Sequence, residues 1–166
     1  IIMGLDGGDR TIINTEFGLA HNSIHVVYKD KKNSIWIGTK ARYLYEIKEN
    51  QLITHEFAAK GEADIYSISE DNAGRIWFAT AENGAYSFDG ENFRSYTSVS
   101  GLKSDYCYSI SSEIGGAIWV GHRGALSKIQ LEDGRIIGYD HKSGIKGQAS
   151  RNCMLHYPEG HLWIGN

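Results

Sequence analysis

The chain has 166 residues, 41% hydrophobic and 22% charged, a globular rather than disordered composition and room for one ordinary domain. Its formal net charge is −3 with no block of like charge, which gives no electrostatic ground for a nucleic-acid partner or an anionic membrane surface. No stretch approaches the roughly 18 apolar residues of a membrane-spanning helix, so no direct membrane insertion is expected. Glycine is abundant, with 20 residues, and Pro158 is the single proline. Short segments punctuated by glycine point to all-β structure. The chain opens on Ile1 rather than Met, which reads as a fragment, so the lack of a visible leader carries no weight.

In chain order, Ile2-Met3-Gly4-Leu5 comes first, in the frame that Trp36-Ile37-Gly38-Thr39 occupies later. It reads as a degenerate copy of that strand. The full phrase follows as NSIWIGT at 33–39, GRIWFAT at 74–80, GAIWVGH at 116–122 and GHLWIGN at 160–166. The tryptophans Trp36, Trp77, Trp119 and Trp163 lie 41, 42 and 44 residues apart.

Alignment on the tryptophans splits each unit into strand-like runs. The first unit holds 24–29, 34–39, 42–47 and 51–56. The second holds 65–70, 75–80, 84–88 and 92–97. The third holds 107–112, 117–122, 125–129 and 135–139, and the last holds 153–157 and 161–165. The runs are rich in Ile, Val, Tyr, Phe and Thr. Turn signals separate them, among them Asp30–Asn33, Asp71–Gly74, Asp89-Gly90 and Asp133-Gly134. No window sustains a helical period. Four antiparallel strands every ~42 residues is the signature of a β-propeller blade. The blade pieces run 1–17, 18–59, 60–99, 100–142 and 143–166, about four repeat periods in all.

A blade is a small twisted sheet that must bury both faces against its neighbours. The tryptophans are expected to supply apolar area at one place in each blade-to-blade layer, worth roughly 2–3 kcal/mol per ring. Gly38, Ala79, Gly121 and Gly165 follow them and leave room for a neighbouring side chain. Val27, Ile68, Ile110 and Met154, each nine residues before a tryptophan, should fill the same layer nearer the central channel. Cys107 and Cys153 sit at different offsets from their tryptophans and read as free thiols.

These phrases resemble the two-component regulator propeller repeat. The resemblance rests on Gly18-Leu19-Ala20-His21-Asn22 leading through Asp30 to Ile35–Thr39. It recurs in Ser67–Trp77, and in Gly101–Asp105 leading to Ile118–Gly121. Departures are Gly61-Glu62 in place of Gly-Leu, extra residues at 144–152, and His122 and Asn166 in place of threonine. The resemblance implies rings of about seven blades in the extracytoplasmic part of bacterial hybrid sensor kinases, hence a periplasmic or extracytoplasmic location. It implies that this chain is a partial propeller whose partners include the remaining blades. Ile1–Gly4 and Leu162–Gly165 both read as second-strand segments, which suits a slice of a longer array; a closed small ring, or pairing between chains, is the alternative.

If the first strand of a blade runs from top to bottom, the second-to-third loops and the blade-to-blade loops share the top face. Asn22, Asp64, Asp105 and Asn152 precede first strands there, with His21 and Arg151 beside them. Lys40, Arg42, Glu82, His122 and Arg123 come from the second-to-third loops. This mixed set of cations, amides and carboxylates suits a polyol, an oligosaccharide or a small anion. Asn and Asp at such corners also cap their own turns, and long basic side chains at a surface need no partner.

No catalytic or metal-binding motif is present, and no cofactor or metal is expected. The expected function is ligand sensing, of a glycan or small molecule, or docking of a partner, with no chemistry in these residues. The alternatives are a propeller-fold enzyme of lyase or glycosidase type, for which His122 and Glu82 make the best local pair, and a structural interaction module. A slice also leaves strand edges unpaired, which invites self-association. The isolated chain should therefore sediment as oligomers or melt with marginal stability. A monomer with one cooperative calorimetric transition counts against the slice.

Overall fold

The computed structural model describes residues 2–3, 10–146, 149–157 and 161–165. They form three four-stranded antiparallel sheets, flanked by a two-stranded hairpin on either side. The first hairpin pairs β1 (Ile2–Met3) with β2 (Arg10–Thr11). The first full sheet is β3 (Ile24–Lys29), β4 (Ile35–Thr39), β5 (Tyr43–Lys48) and β6 (Gln51–Glu56). The second is β7 (Ile65–Glu70), β8 (Ile76–Thr80), β9 (Ala85–Phe88) and β10 (Phe93–Tyr96). The third is β11 (Ser109–Glu113), β12 (Ala117–His122), β13 (Ala125–Gln130) and β14 (Ile136–Tyr139). The last hairpin is β15 (Met154–Tyr157) with β16 (His161–Ile164). The strands fall within a residue or two of the runs read from sequence. In each full sheet neighbours in sequence are neighbours in space, the up-and-down order of a propeller blade.

Side chains alternate across each strand, and the two faces serve different neighbours. Trp36, Leu44 and Val26 leave the first sheet on one side and pack on Ile68, Phe78, Tyr86 and Phe88 of the second. Trp77, Ala79 and Ala85 leave the second sheet and pack on Ile110, Ile118, Val120 and Ile129 of the third. Ile37, Tyr45 and Ile47, on the opposite face of the first sheet, are covered by Ile13 and Leu19. The residue after the tryptophan must be small because the next inner strand lies against it. A Cβ on Gly38 would stand 2.6 Å from Ile65 Cγ2.

The indole edge is fixed as firmly as its face. Trp36 Nε1 donates to Asp30 Oδ2 at 2.8 Å, Trp77 Nε1 to Asp71 Oδ2 at 2.8 Å, and Trp119 Nε1 to Glu113 Oε2 at 2.9 Å. Each carboxylate lies six residues before its tryptophan, at the turn joining the first two strands. The other oxygen organises that turn. Asp30 Oδ1 accepts from the Lys32 and Ser34 amides, and Asp71 Oδ1 from those of Ala73 and Arg75. Burial by itself would raise the Asp71 pKa. Hydrogen bonds from Trp77 and Arg75, with the Arg75 charge, outweigh it and hold the carboxyl below its ordinary 3.8. Neighbouring turns are latched as well: the Lys31 amide donates to Glu70 Oε2 at 2.9 Å, and Asn72 Nδ2 to the Ile114 carbonyl at 2.9 Å.

Three sequence expectations need correction. Ile2–Met3 does not take the second-strand place. Its partner Arg10–Thr11 runs into a cap and one-turn 3-10 helix at Asn14–Gly18, which matches Thr97–Gly101 and Asp140–Gly144. The latter two follow fourth strands, so β2 is a fourth strand and β1 a third. A short apolar phrase fits either place, and only its partner decides; Ile1 and Gly4 lie outside the described residues. Val27 keeps the register of Ile68 and Ile110 but is 59% exposed, because the described N-terminal residues cover only the outer part of that face. Trp119 is half-buried and Trp163 is 65% exposed, so neither offers the full indole burial expected of it.

Asp71→Ala strips the Trp77 indole and Arg75 of their acceptor and should cost about 2–4 kcal/mol in urea unfolding at neutral pH. The folded pKa lies below the unfolded value. The carboxylate contribution is therefore complete above about pH 4 and fades as pH falls through the folded pKa. The gap between wild type and Asp71→Ala should narrow below that point; a gap constant to pH 2 would contradict the clasp.

Candidate functional site

Inner strands enter each sheet from the upper rim, so the loops at 57–64 and 97–108 and the described loop residues 140–146 and 149–153 lie beside the second-to-third turns. Two clefts open there. One, of about 380 Å³, is lined by Lys40, Lys60, Glu62, Asp64, Tyr66, Glu82 and Tyr106, with Gly61 and Ala81. The other, of about 620 Å³, is lined by Tyr108, Arg123, Ala149, Ser150 and Arg151. They adjoin through aromatic rings. Tyr66 and Tyr108 lie nearly parallel with centroids 6.3 Å apart, and the Arg151 guanidinium sits 4.1 Å from the Tyr66 centroid. His25 packs on the other side of Tyr66 at 5.5 Å.

The first cleft is internally paired. Lys40 Nζ lies 3.3 Å from Glu62 Oε2, the Tyr66 hydroxyl donates to Asp64 Oδ2 at 3.3 Å, and the Tyr106 hydroxyl donates to Glu82 Oε1 at 2.5 Å. The Tyr106 bond to Glu82 raises the phenol pKa; burial raises that of Tyr66. Both hydroxyls keep their protons at neutral pH and remain donors. Glu82 adopts φ 66°, a left-handed conformation unusual for a residue with a side chain, which turns its carboxylate to Tyr106.

The structure sorts the eleven sequence candidates, and His21 is held in its own turn, where its Nδ1 accepts from the Ser23 amide at 2.9 Å. Lys40, Asp64 and Glu82 share the first cleft, and Arg123 and Arg151 share the second. Asn152 reaches across an inner strand, its Oδ1 accepting from Ser67 Oγ at 2.9 Å. Asn22 and Asp105 cap the 3-10 turns seven residues before them: the Thr15 amide donates to Asn22 Oδ1 and the Ser98 amide to Asp105 Oδ1. Arg42 points away from both clefts and pairs with Glu56 at 3.1 Å.

His122 was expected on the rim and is instead 1% exposed. It ends a second strand, as Thr39 and Thr80 do, and all three side chains are buried, so the position belongs to the core. Nδ1–H donates to the Tyr106 carbonyl at 3.0 Å, which leaves Nε2 to accept from Ser127 Oγ at 2.9 Å. Ser127 Oγ in turn accepts from the Lys103 amide at 3.0 Å. Burial lowers the His122 pKa, partly opposed by the bond to Tyr106, and the ring is neutral. With His122 sealed and Glu82 held by Tyr106, the suggested acid–base pair does not assemble. Cys107 and Cys153 are free, and burial pushes the Cys107 thiol pKa well up, which makes it unreactive.

Sequence reading missed His25, Tyr66 and Tyr108. The signal was present: each lies 11 residues before a tryptophan, at one height on successive inner strands.

The four-stranded units, their layered packing and a rim of converging loops define the class: this is β-propeller structure. Within it, the two-component regulator propeller family model matches residues 18–41 and 60–82. The chain is 24% identical over 159 residues to Histidine kinase P4 of Formosa agariphila, covering 90% of this chain and 12% of that protein. It superposes at TM-score 0.81 and 21% identity on the extracellular domain of a hybrid two-component system from B. thetaiotaomicron, covering 94% of this chain and 22% of that one. Virginiamycin B lyase from Staphylococcus aureus is similar at TM-score 0.76 and 17% identity, covering 98% and 54%. The chain thus spans about an eighth of the curated relative and about a fifth of the extracellular domain, and the structural likenesses establish the fold.

His122→Ala orphans Ser127 and the Tyr106 carbonyl and should cost about 2–3 kcal/mol in urea unfolding. Because the folded pKa lies below the ordinary 6.5, wild-type stability should fall as pH drops from 6.5 towards the folded value. His122→Thr should flatten this slope; an unchanged slope would mean that the ring titrates freely.

Proposed function

We propose that this chain is a ligand-receiving segment of the extracytoplasmic sensor region of a two-component receptor, with no chemistry of its own. The observation that carries the reading is the pair of adjoining upper-rim clefts, which bring Lys40, Asp64, Glu82, Arg123 and Arg151 together around Tyr66 and Tyr108. Similarity to a histidine kinase and to an extracellular two-component domain supports a signalling parent located outside the cytoplasm. No helix among the described residues is long and apolar enough to cross a membrane.

The rim supplies hydroxyl donors, charges of both signs and flat aromatic faces, which suits a polyhydroxylated ligand. Loops from successive blades build it, so occupancy bridges blades and stiffens their relative placement. Such stiffening is a change the rest of a receptor can read. The enzyme alternative has no assembled acid–base pair to work with.

A panel of oligosaccharides, screened by thermal stabilisation of the chain, should yield a binder that is recovered chemically intact. Tyr108→Ala should abolish the stabilisation while moving the unliganded stability by about 1 kcal/mol or less. Conversion of the sugar to product would refute the non-catalytic reading, and stabilisation unaffected by Tyr108→Ala would move the site off the rim.

A further inference from the structure

The six arginines whose side chains the structure describes divide sharply. Arg42, Arg75 and Arg135 each meet a carboxylate, of Glu56, Asp71 and Asp133 respectively. Arg94 lies over the Tyr96 ring. Arg123 and Arg151 meet no carboxylate among the described residues, and both line the larger cleft. Two arginines without a described carboxylate partner, lining one cleft, stand out in a chain whose net charge is −3.

Arg151 is also oriented. Its guanidinium lies 4.1 Å from the Tyr66 centroid, so the ring occupies one face of the cation. A guanidinium packed on a ring by one face keeps its N–H groups at its edge, where a planar, two-oxygen acceptor binds. Tyr108 adds an apolar flat wall to the same cleft, and Ser150 a hydroxyl. In the neighbouring cleft Lys40 is paired with Glu62, and Lys60 shares the lining with the carboxylates of Asp64 and Glu82, so its charges are mixed rather than cationic.

We propose that the cleft of Tyr108, Arg123, Ser150 and Arg151 binds an acidic saccharide. The arginines take the carboxylate of a uronic acid residue, and Tyr108 takes the C–H face of its pyranose ring. The cavity, about 620 Å³, lies within the usual range for small-molecule sites and has room for more than one sugar ring. The flat wall favours a sugar over an extended acidic peptide, which would present its carboxylates on flexible arms. This inference rests on the ligand-receiving reading and narrows it to one chemical class.

The test is calorimetric titration of the chain with trigalacturonate, with its carboxyl-reduced neutral counterpart, and with triglutamate. Trigalacturonate should bind at least about tenfold more tightly than either, and more weakly as salt rises. Arg123→Gln and Arg151→Gln should each weaken it about tenfold, while Arg42→Gln, outside the cleft, should leave it unchanged within about twofold. Equal binding of the neutral sugar would overturn the acidic class and leave the sensing reading intact. Equal binding of triglutamate would overturn the saccharide class. Loss in Arg42→Gln equal to that in Arg123→Gln would remove the site from this cleft. No binding of trigalacturonate, with a binder found in the neutral panel, would sink this inference alone; silence in both would sink the sensing reading with it.

Discussion

Three indole N–H groups, each bonded to a carboxylate at the turn of its own blade, hold the layers of this fold in place. Trp36, Trp77 and Trp119 bring a large apolar face to the layer between sheets, but a buried indole also carries a donor that must be satisfied. Asp30, Asp71 and Glu113 accept it from the lower turn of the same blade. One oxygen of Asp30 or Asp71 holds the indole and the other closes the turn, so side-chain position and backbone path are set together. A fixed indole in turn fixes the surface offered to the next blade. Repetition at near-constant spacing turns that local arrangement into a stack.

This division of labour shapes the two rims differently. Below, the turns spend their polar groups on the indoles and on one another, as Lys31 does with Glu70 and Asn72 with the Ile114 carbonyl. Above, Asn22 and Asp105 stiffen the 3-10 turns that lead into the inner strands. His122 pins the Tyr106 carbonyl from inside and so anchors the loop that carries Tyr106 and Tyr108. The upper rim is thereby held in place without exhausting its side chains, and Arg123 and Arg151 are left with their charges uncompensated by any described carboxylate.

Much of the fold was legible in the residues because its determinants are local and periodic. A strand shows itself by β-branched and aromatic residues between turn formers, and a blade by the return of one tryptophan phrase. Part of the candidate site was legible too: loop polarity and strand direction put Lys40, Asp64, Glu82, Arg123 and Arg151 in rim loops, and these residues line the two clefts there. What local pattern left open was which way a rim residue turns. His122 occupies the place of Thr39 and Thr80, and its ring fits the core because Ser127 and the Tyr106 carbonyl meet both nitrogens. Arg42 neighbours the cleft in sequence, yet a carboxylate on the adjacent strand, Glu56, pairs with it.

The sequence by itself determined the four-stranded unit, its spacing and the small residue behind each tryptophan, because those follow from side-chain alternation and from the size of an indole. The tertiary structure alone decided that Ile2–Met3 is a third strand, that Val27 and Trp163 lie uncovered, and that Tyr66, Tyr108 and Arg151 stack into one surface. Strand rank depends on a partner, burial on what covers a face, and a shared rim surface on side chains from different blades, and none of these is written in any single stretch of chain.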